Sequence, residues 1–362
     1  MMPYSWKCLK GTKVIRKMKK ILVTGAGAVL GQGILRCLRE YRDKYELHTA
    51  DPDVRSTGHW LGDKAHTILF ANDPHFIKSI EQIIAAENID AILVGTDAEL
   101  PVFSENKAFL ESQYRVKVLV SDQHVVEIAN DKWLTADYLK VNKFPFPLSF
   151  MSDDVEGIKY LKELNQYPYI AKPVDGARSK GLLMINTVKD LEQITSYANN
   201  LVVQEYISED EGEFTSGCLV FDGECKSVVT LKRDLRDGNT YRAYYDKSYE
   251  KYGKYIAEIS ERLNIFGPSN FQFRIKDGMP IIFEINSRFS GTTPIRSFFG
   301  FNEVVASLDY LFENKNIVQP ELKSGVVMRA WADIFVEEGE MQKFKSSNSL
   351  QSPTCVYHPF FK

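Results

Sequence analysis

The chain has 362 residues, enough for two or three folding units of roughly 100 to 200 residues each, and its 44% hydrophobic content is ample for their cores, so disorder is excluded as the organising theme. Lys and Arg number 45 against 48 Asp and Glu, a formal charge of −3, which argues against nucleic acid as a partner and leaves small anionic ligands open. The five cysteines form no CxxC pair and no apolar run nears the roughly 20 residues that cross a bilayer, so we expect a reducing, cytoplasmic setting with no disulfide framework, zinc knuckle or membrane span.

The first 18 residues are basic and lack the apolar core of a signal peptide; they are expected to be a flexible tail. From Lys20 strand and helix signals alternate: a strand at 21–24, a glycine-rich turn at 25–33, a helix at 34–41, a strand at 46–50, a helix at 76–87, a strand at 91–94, a helix at 101–112 and a strand at 116–120. Strands separated by helices imply right-handed crossovers, so residues 19–120 are expected to form an α/β, doubly wound parallel-sheet domain. A helix follows at 131–141, and Phe144-Pro145-Phe146-Pro147 then stops helix propagation. Strands at 169–172 and 182–185 flank a glycine-bearing loop, and Thr187-Val188-Lys189-Asp190 reads as a capping box, which together make a small α+β unit. Beyond Leu201 the pattern turns to hairpins: 214–221 returns at Asp222-Gly223 into 227–231, and 269–276 returns at Asp277-Gly278 into 280–286. Residues 232–236 and Arg242 are assigned to the end of the first hairpin and a long loop after it. In the tail, 326–336 is strand-like, with Arg329 and Trp331 either lining a cleft or packing.

Two segments invite a nucleotide. Thr24-Gly25-Ala26-Gly27-Ala28-Val29-Leu30-Gly31 follows a strand and opens a helix, with Asp51 and Asp53 closing the next strand, close to a dinucleotide fingerprint. The third glycine falls one position late, and no Tyr-x-x-x-Lys pair or histidine cluster supplies hydride-transfer chemistry. Nicotinamide binding and a merely tight turn both stand as readings.

The second segment is richer in chemistry. On the strand 280–286 and just beyond it, Glu284, Asn286 and Arg288 are two apart and should share a face, with Phe283 and Ile285 turned into the core. Gln272 on the paired strand can join them. A carboxylate, amide oxygens and a guanidinium suit a magnesium–nucleotide site, with hard oxygen ligands for the metal and a planar fork for phosphate. Lys172 precedes the loop 174–181, whose glycines let backbone amides approach phosphate, and Lys132 opens a helix. Gln204-Glu205-Tyr206-Ile207 offers main-chain groups to a purine edge, and Glu213 a carboxylate to ribose hydroxyls.

In that order the residues resemble the ATP-grasp superfamily, most closely the carbamoyl phosphate synthetase large subunit and related carboxylate-amine ligases. The resemblance spans about 20–310 and implies an N-terminal α/β domain at 19–120, an ATP-grasp module at 121–318 with a lid at about 145–203 and an antiparallel-sheet domain, and a C-terminal extension at 319–362. It implies that Lys132, Lys172, Ser179, Lys180 and Gly181 contact phosphates, that Gln204, Glu205, Tyr206 and Ile207 form the adenine hinge, and that Glu213 takes the ribose. Gln272, Glu284 and Asn286 match the magnesium or manganese positions, and Arg288 the transferring group. With about one ATP-grasp unit of length, the chain is expected not to be a full synthetase with duplicated halves and an ammonia tunnel.

The expected reaction moves the γ-phosphoryl of ATP to a carboxylate and lets an amine or another nucleophile attack the acyl phosphate, releasing ADP and phosphate, with Arg288, Lys172 and Asn286 stabilising charge. Arg296, Thr292 and Arg242 are the candidates for holding the co-substrate. The expected partners are a small-molecule carboxylate and an amine, with no nucleic acid and no membrane, and the family leads us to expect a homodimer. The competing readings are an oxidoreductase built on the glycine turn and a nucleotide-binding protein without chemistry.

Overall fold

The structure is a computed structural model that describes residues 18–176, 181–197 and 200–359. The basic N-terminal segment expected to be a tail therefore lies outside the described residues, apart from Met18. A six-stranded sheet runs in the spatial order Ser349–Gln351, Lys64–Thr67, Tyr45–Asp51, Lys19–Val23, Ala91–Leu93, Lys117–Leu119. Five strands are parallel, as the alternation predicts, and the sixth joins antiparallel. Alternation sends Ile21 and Val23 to one face, against Ile34, Leu35 and Leu38 of the helix Val29–Leu38, and Leu22 to the other, against Phe76 and Ile80 of the helix Phe76–Glu87.

A four-stranded antiparallel sheet follows, ordered Ser149–Met151, Leu201–Glu205, Tyr169–Pro173, Leu183–Ile185. Tyr169, Ala171, Ile185 and Val203 face Ile158, Leu161 and Leu191 of the helices Val155–Leu164 and Val188–Tyr197. The opposite face is left for Ile170, Lys172 and Gln204.

The third sheet has six antiparallel strands ordered Met279–Asn286, Gly267–Lys276, Glu213–Phe221, Glu224–Arg236, Asn239–Tyr245, Gly325–Met328. One face buries Phe214, Phe271, Phe273, Ile282 and Ile285 on helices that include Gln123–Asn130 and Gly253–Arg262. The other face is divided. At one end Leu219, Val229, Leu231 and Ala243 join the core of the N-terminal sheet; at the other end the same face is polar, with Glu213, Arg233, Gln272 and Arg274.

Both expected Asp-Gly hairpins form, with Asp222 and Gly223 at φ 55° and 75° and Asp277 and Gly278 at 52° and 75°. A third is the correction: Asp237 and Gly238, at φ 53° and 71°, join Glu224–Arg236 to Asn239–Tyr245, so residues 232–236 and Arg242 lie in strands and not in a long loop. The strand-like stretch in the tail is two strands, Gly325–Met328 and Ala332–Phe335, and the chain beyond returns to the first sheet through Ser349–Gln351. Within 319–359, Gly325–Met328 and Ser349–Gln351 thus join the third and first sheets, while Ala332–Phe335 and Val356–Pro359 pair as a separate two-stranded sheet.

Candidate functional site

The polar faces of the second and third sheets enclose a cavity of about 400 Å³. Lys132 is the first residue of the helix Lys132–Val141, whose N-terminus Asp131 caps by accepting from Trp133 N and Leu134 N at 2.7 and 2.9 Å. Its Nζ donates to Gly176 O at 2.9 Å, tying the helix start to the loop after Tyr169–Pro173. Burial lowers its pKa, and the Glu284 carboxylate works against that shift.

Lys172 is more extreme. It is 7% exposed, makes no ion pair among the described residues, and donates to Gln204 Oε1 at 2.8 Å while Gln204 Nε2 donates to Ser149 Oγ at 2.8 Å. Burial brings its pKa down to about 8, with Glu284 the largest opposing charge. A buried ammonium without a carboxylate is a costly group, and it favours an anion entering the cavity.

Across the cavity runs a chain of polar contacts. Arg233 and Arg274 clamp Glu213: Arg233 Nη2 reaches Oε1 at 2.6 Å and Arg274 Nη2 reaches Oε2 at 2.8 Å. Arg233 Nη2 also donates to Gln272 Oε1 at 2.6 Å, and Gln272 Nε2 donates to Glu284 Oε1 at 2.8 Å. The same Oε1 accepts from Asn286 Nδ2 at 2.9 Å, and Arg288 Nη2 donates to Asn286 Oδ1 at 2.7 Å. Arg288 ends the chain on Asp97, through Nε to Oδ1 at 2.7 Å and Nη2 to Oδ2 at 3.2 Å. Glu284 Oε2 has no hydrogen-bond partner among the described residues and stays available to a cation.

One expectation about this strand is overturned. The pairing register slips between Gln272 and Phe273, so that Gln272 faces Glu284 while Phe273 faces Ile282. This bulge turns Phe283 out of the core and into the cavity wall beside Glu284, leaving Ile282 and Ile285 as the core residues. Phe283 supplies an apolar surface, with Lys172 Nζ 5.7 Å from its ring centre.

Lys132, Lys172, Gln204, Glu213, Gln272 and Glu284, with the segment Glu205, Tyr206 and Ile207, therefore line one cavity. Asn286 and Arg288 extend it towards the first sheet. Ser179 and Lys180 lie outside the described residues; Gly181 is described, at φ 74°, beside Pro173. The three co-substrate candidates fail. Arg296 is fully buried, with Nη2 on Glu303 Oε2 at 2.9 Å and Nη1 on Thr292 Oγ1 at 2.7 Å, so both Arg296 and Thr292 are internal. A Cβ on Gly217 would stand 2.3 Å from the Arg296 guanidinium carbon, which explains a glycine in mid-strand there. Arg242 is exposed, on the sheet face opposite Ala243, near Asp234 at 3.8 Å. Sequence reasoning missed Arg274 and Asp97, and it placed Arg233 among basic groups that could clamp an anionic co-substrate, whereas the structure sets its guanidinium against Glu213 and Gln272. Arg274 stands two residues from Gln272 and shares its face by alternation, and Asp97 follows the strand Ala91–Leu93 at the point where strand order reverses.

The glycine turn has a packing role. Asp51 Oδ2 accepts from Gly27 N at 2.8 Å and Oδ1 from Ser56 Oγ at 2.7 Å, so the carboxylate that would face a nicotinamide ribose is spent internally. A Cβ on Gly31 would meet Gly25 O at 2.3 Å, so the helix seats directly on the turn. The oxidoreductase reading has no support here.

Among the described residues no group of three or more His, Cys, Asp or Glu side chains is placed to hold a metal, and no helix is long and apolar enough to cross a membrane. A hard cation here would depend on Glu284, amide oxygens and a ligand's own phosphates, the usual circumstance of magnesium.

Residues 129–292 match the ATP-grasp domain family. The carbamoyl phosphate synthase large chain of Thermoanaerobacter pseudethanolicus is 23% identical over 309 residues, covering 78% of this chain and 28% of that protein. The corresponding large chain of Sulfolobus acidocaldarius is 24% identical over 345 residues, covering 88% and 30%. The chain thus spans under a third of the length of these relatives. Among solved structures, the biotin carboxylase domain of Hydrogenobacter thermophilus 2-oxoglutarate carboxylase, in complex with MgADP and bicarbonate, superposes with TM-score 0.68 at 16% identity, over 90% of this chain and 76% of that one. An ADP complex of N5-carboxyaminoimidazole ribonucleotide synthetase gives 0.66 at 14% identity, over 91% and 85%. The fold is that of these solved structures, and the ATP-grasp match over 129–292 bears out the resemblance read from the sequence.

Proposed function

We propose that the chain is an ADP-forming ligase that binds ATP with magnesium between the second and third sheets, activates a carboxylate as an acyl phosphate and couples it to an amine or another nucleophile. The observation that carries this reading is Lys172: a buried ammonium without a carboxylate partner, in the same cavity as the one unsaturated carboxylate oxygen of Glu284. Lys172 and Lys132 hold the phosphates, the main chain of residues 205–207 meets the base, and Glu213, held rigid between two arginines, accepts the ribose hydroxyls. A magnesium ion would be held by Glu284, joined by Gln272 and Asn286 once their amide oxygens leave Arg233 and Arg288, and would neutralise charge on the transferring phosphoryl.

In the reaction a substrate carboxylate oxygen attacks the γ-phosphorus, the bond from that phosphorus to the β–γ bridging oxygen breaks, and ADP leaves. The nucleophile's nitrogen then attacks the acyl carbon, phosphate departs with the C–O bonding pair, and the nitrogen gives its proton to solvent. Arg288, oriented by Asp97, faces the oxygens on which charge develops. The co-substrate side is then the crevice outside the carboxyl ends of the first sheet, where Asp97 stands. The free thiols of Cys37, Cys218, Cys225 and Cys355 fit a reducing cytoplasmic setting. A homodimer accords with the Hydrogenobacter domain, which was solved as a dimer.

The test is hydroxylamine trapping of acyl phosphates with MgATP across a panel of amino, hydroxy and sugar acids, with ADP release measured in parallel. Glu284→Gln keeps the amide geometry around Oε1 and should lower substrate-dependent ADP release on the order of 100-fold. Wild-type ADP release in that variant at saturating magnesium refutes the assignment.

A further inference from the structure

A second hollow, of about 430 Å³, opens on the other side of Glu205 from the nucleotide cavity. Its rim is basic, from Lys140, Lys143 and Lys276, and its floor is apolar, from Phe144, Phe146 and Ile281. The one carboxylate in its wall is Glu205, whose Oε1 already takes the Lys276 ammonium. Lys140 and Lys143 make no ion pair among the described residues, so the hollow carries two uncompensated positive charges. Lys143 also stands at φ 62°, just past the end of the helix Lys132–Val141, in the left-handed conformation that glycine or asparagine usually fills there. That conformation is fixed by Lys143 N to Lys140 O at 3.0 Å and Phe144 N to Leu139 O at 2.9 Å, which holds both lysines on one rim. The floor is rigid: Phe144 is 7% exposed and packs edge-on against Tyr255, with ring centres 5.8 Å apart.

We propose that this hollow is a second ligand site, for a small organic phosphate, and that its occupation weakens nucleotide binding. Ammonium groups are compact, mobile point charges that suit a phosphate without demanding a planar, bidentate geometry, and the apolar floor takes the organic body. The coupling runs through Glu205, which lines both hollows and whose Oε2 accepts from Leu148 N at 3.1 Å. A phosphate that draws Lys276 away leaves the Glu205 carboxylate unneutralised beside the segment assigned to the adenine base. An added negative charge there opposes the arrival of a nucleoside di- or triphosphate. This coupling rests on the nucleotide assignment of the first cavity; the binding itself does not.

Phenyl phosphate is the probe, with the full chain in a calorimeter. The expected result is saturable binding at one site, an MgADP dissociation constant about 5-fold larger when the probe saturates, and by reciprocity the same factor on the probe when MgADP saturates. Lys140→Ala with Lys143→Ala, both exposed positions, should abolish probe binding and leave MgADP affinity at the wild-type value. Inorganic phosphate should bind at least 10-fold more weakly than phenyl phosphate, and equal affinities refute the role of the floor. Absence of saturable binding overturns the proposal, as does binding that survives the double substitution, because the probe then sits in the nucleotide cavity. Probe binding with no effect on MgADP overturns the coupling. If MgADP itself does not bind, the nucleotide assignment fails, and the probe isotherm alone still decides the hollow.

Discussion

Lys172 makes the nucleotide assignment measurable without knowing the substrate. Burial holds its pKa at about 8, against 10.5 for a free lysine, and a triphosphate against the ammonium should restore it towards the ordinary value. Nucleotide binding must then take up protons whenever the free chain holds Lys172 partly neutral. At pH 7 about a tenth of the chains lack that proton, at pH 8 about half and at pH 9 about nine-tenths, so uptake per bound MgATP should rise over that range from about 0.1 to about 0.9. Calorimetric titration in pairs of buffers with different ionisation enthalpies reads this number directly. Lys172→Met should bind more weakly and lose most of the uptake, with Lys132, also lowered by burial, supplying what is left; Lys172→Arg, which does not titrate in this range, should lose the same share while keeping a charge. Zero proton linkage at pH 8 in the wild type refutes the reasoning, and so does uptake that Lys172→Met leaves undiminished.

The corrected role of Arg296 predicts a stability effect: Arg296→Met strands Glu303, which is 2% exposed, and should cost about 3–5 kcal/mol by denaturant unfolding, with Arg296→Met/Glu303→Leu recovering more than half. A stable Arg296→Met that loses only turnover would return Arg296 to the co-substrate. Two buried histidines should oppose folding in acid. His59 and His66 are buried neutral, with pKa values brought down by burial to about 4 and about 3, while their unfolded counterparts protonate below about 6.5. The unfolded chain therefore binds more protons, and stability falls as pH drops below about 6.5, by about 2 kcal/mol for each histidine at pH 5. Glu99, whose pKa burial raises to about 8, works in the opposite direction over this range, so the check is the comparison of wild type with His66→Gln: unfolding free energies at pH 7.5 and pH 5 should show the substitution removing about 2 kcal/mol of acid destabilisation.

Much of the site was legible because its chemistry lies at period two along strands. Glu284, Asn286 and Arg288 could be grouped from spacing alone, and the hairpin brought Gln272 to them. The same rule misplaced Phe283, since one extra residue in a strand reverses the faces beyond it, and nothing in Phe283-Glu284 announces a bulge. Arg296 misled for another reason. It sits behind Gly291 in a polar run that resembles a ligand loop, and only the arrival of Glu303, on the next helix, shows that its charge is already paired inside the protein. The Asp237-Gly238 turn carried the same signal as the two hairpins that were found. The join of Ser349–Gln351 to a strand almost 300 residues earlier has no local signal at all.

That long-range join bears on how the parts cooperate. The family match spans residues 129–292, yet the chain of polar contacts from Glu213 ends on Asp97, outside that span, and the arginine assigned to the transferring phosphoryl takes its orientation from there. The apolar half of the third sheet likewise buries Leu219, Leu231 and Ala243 in one core with Ile34 and Leu38 of the first domain. Cutting the chain at the match boundaries would expose that core and free Arg288 from its partner. The first domain is therefore a wall of the site: it fixes the direction of one guanidinium and presents the carboxyl ends of its strands on the side that Arg288 faces.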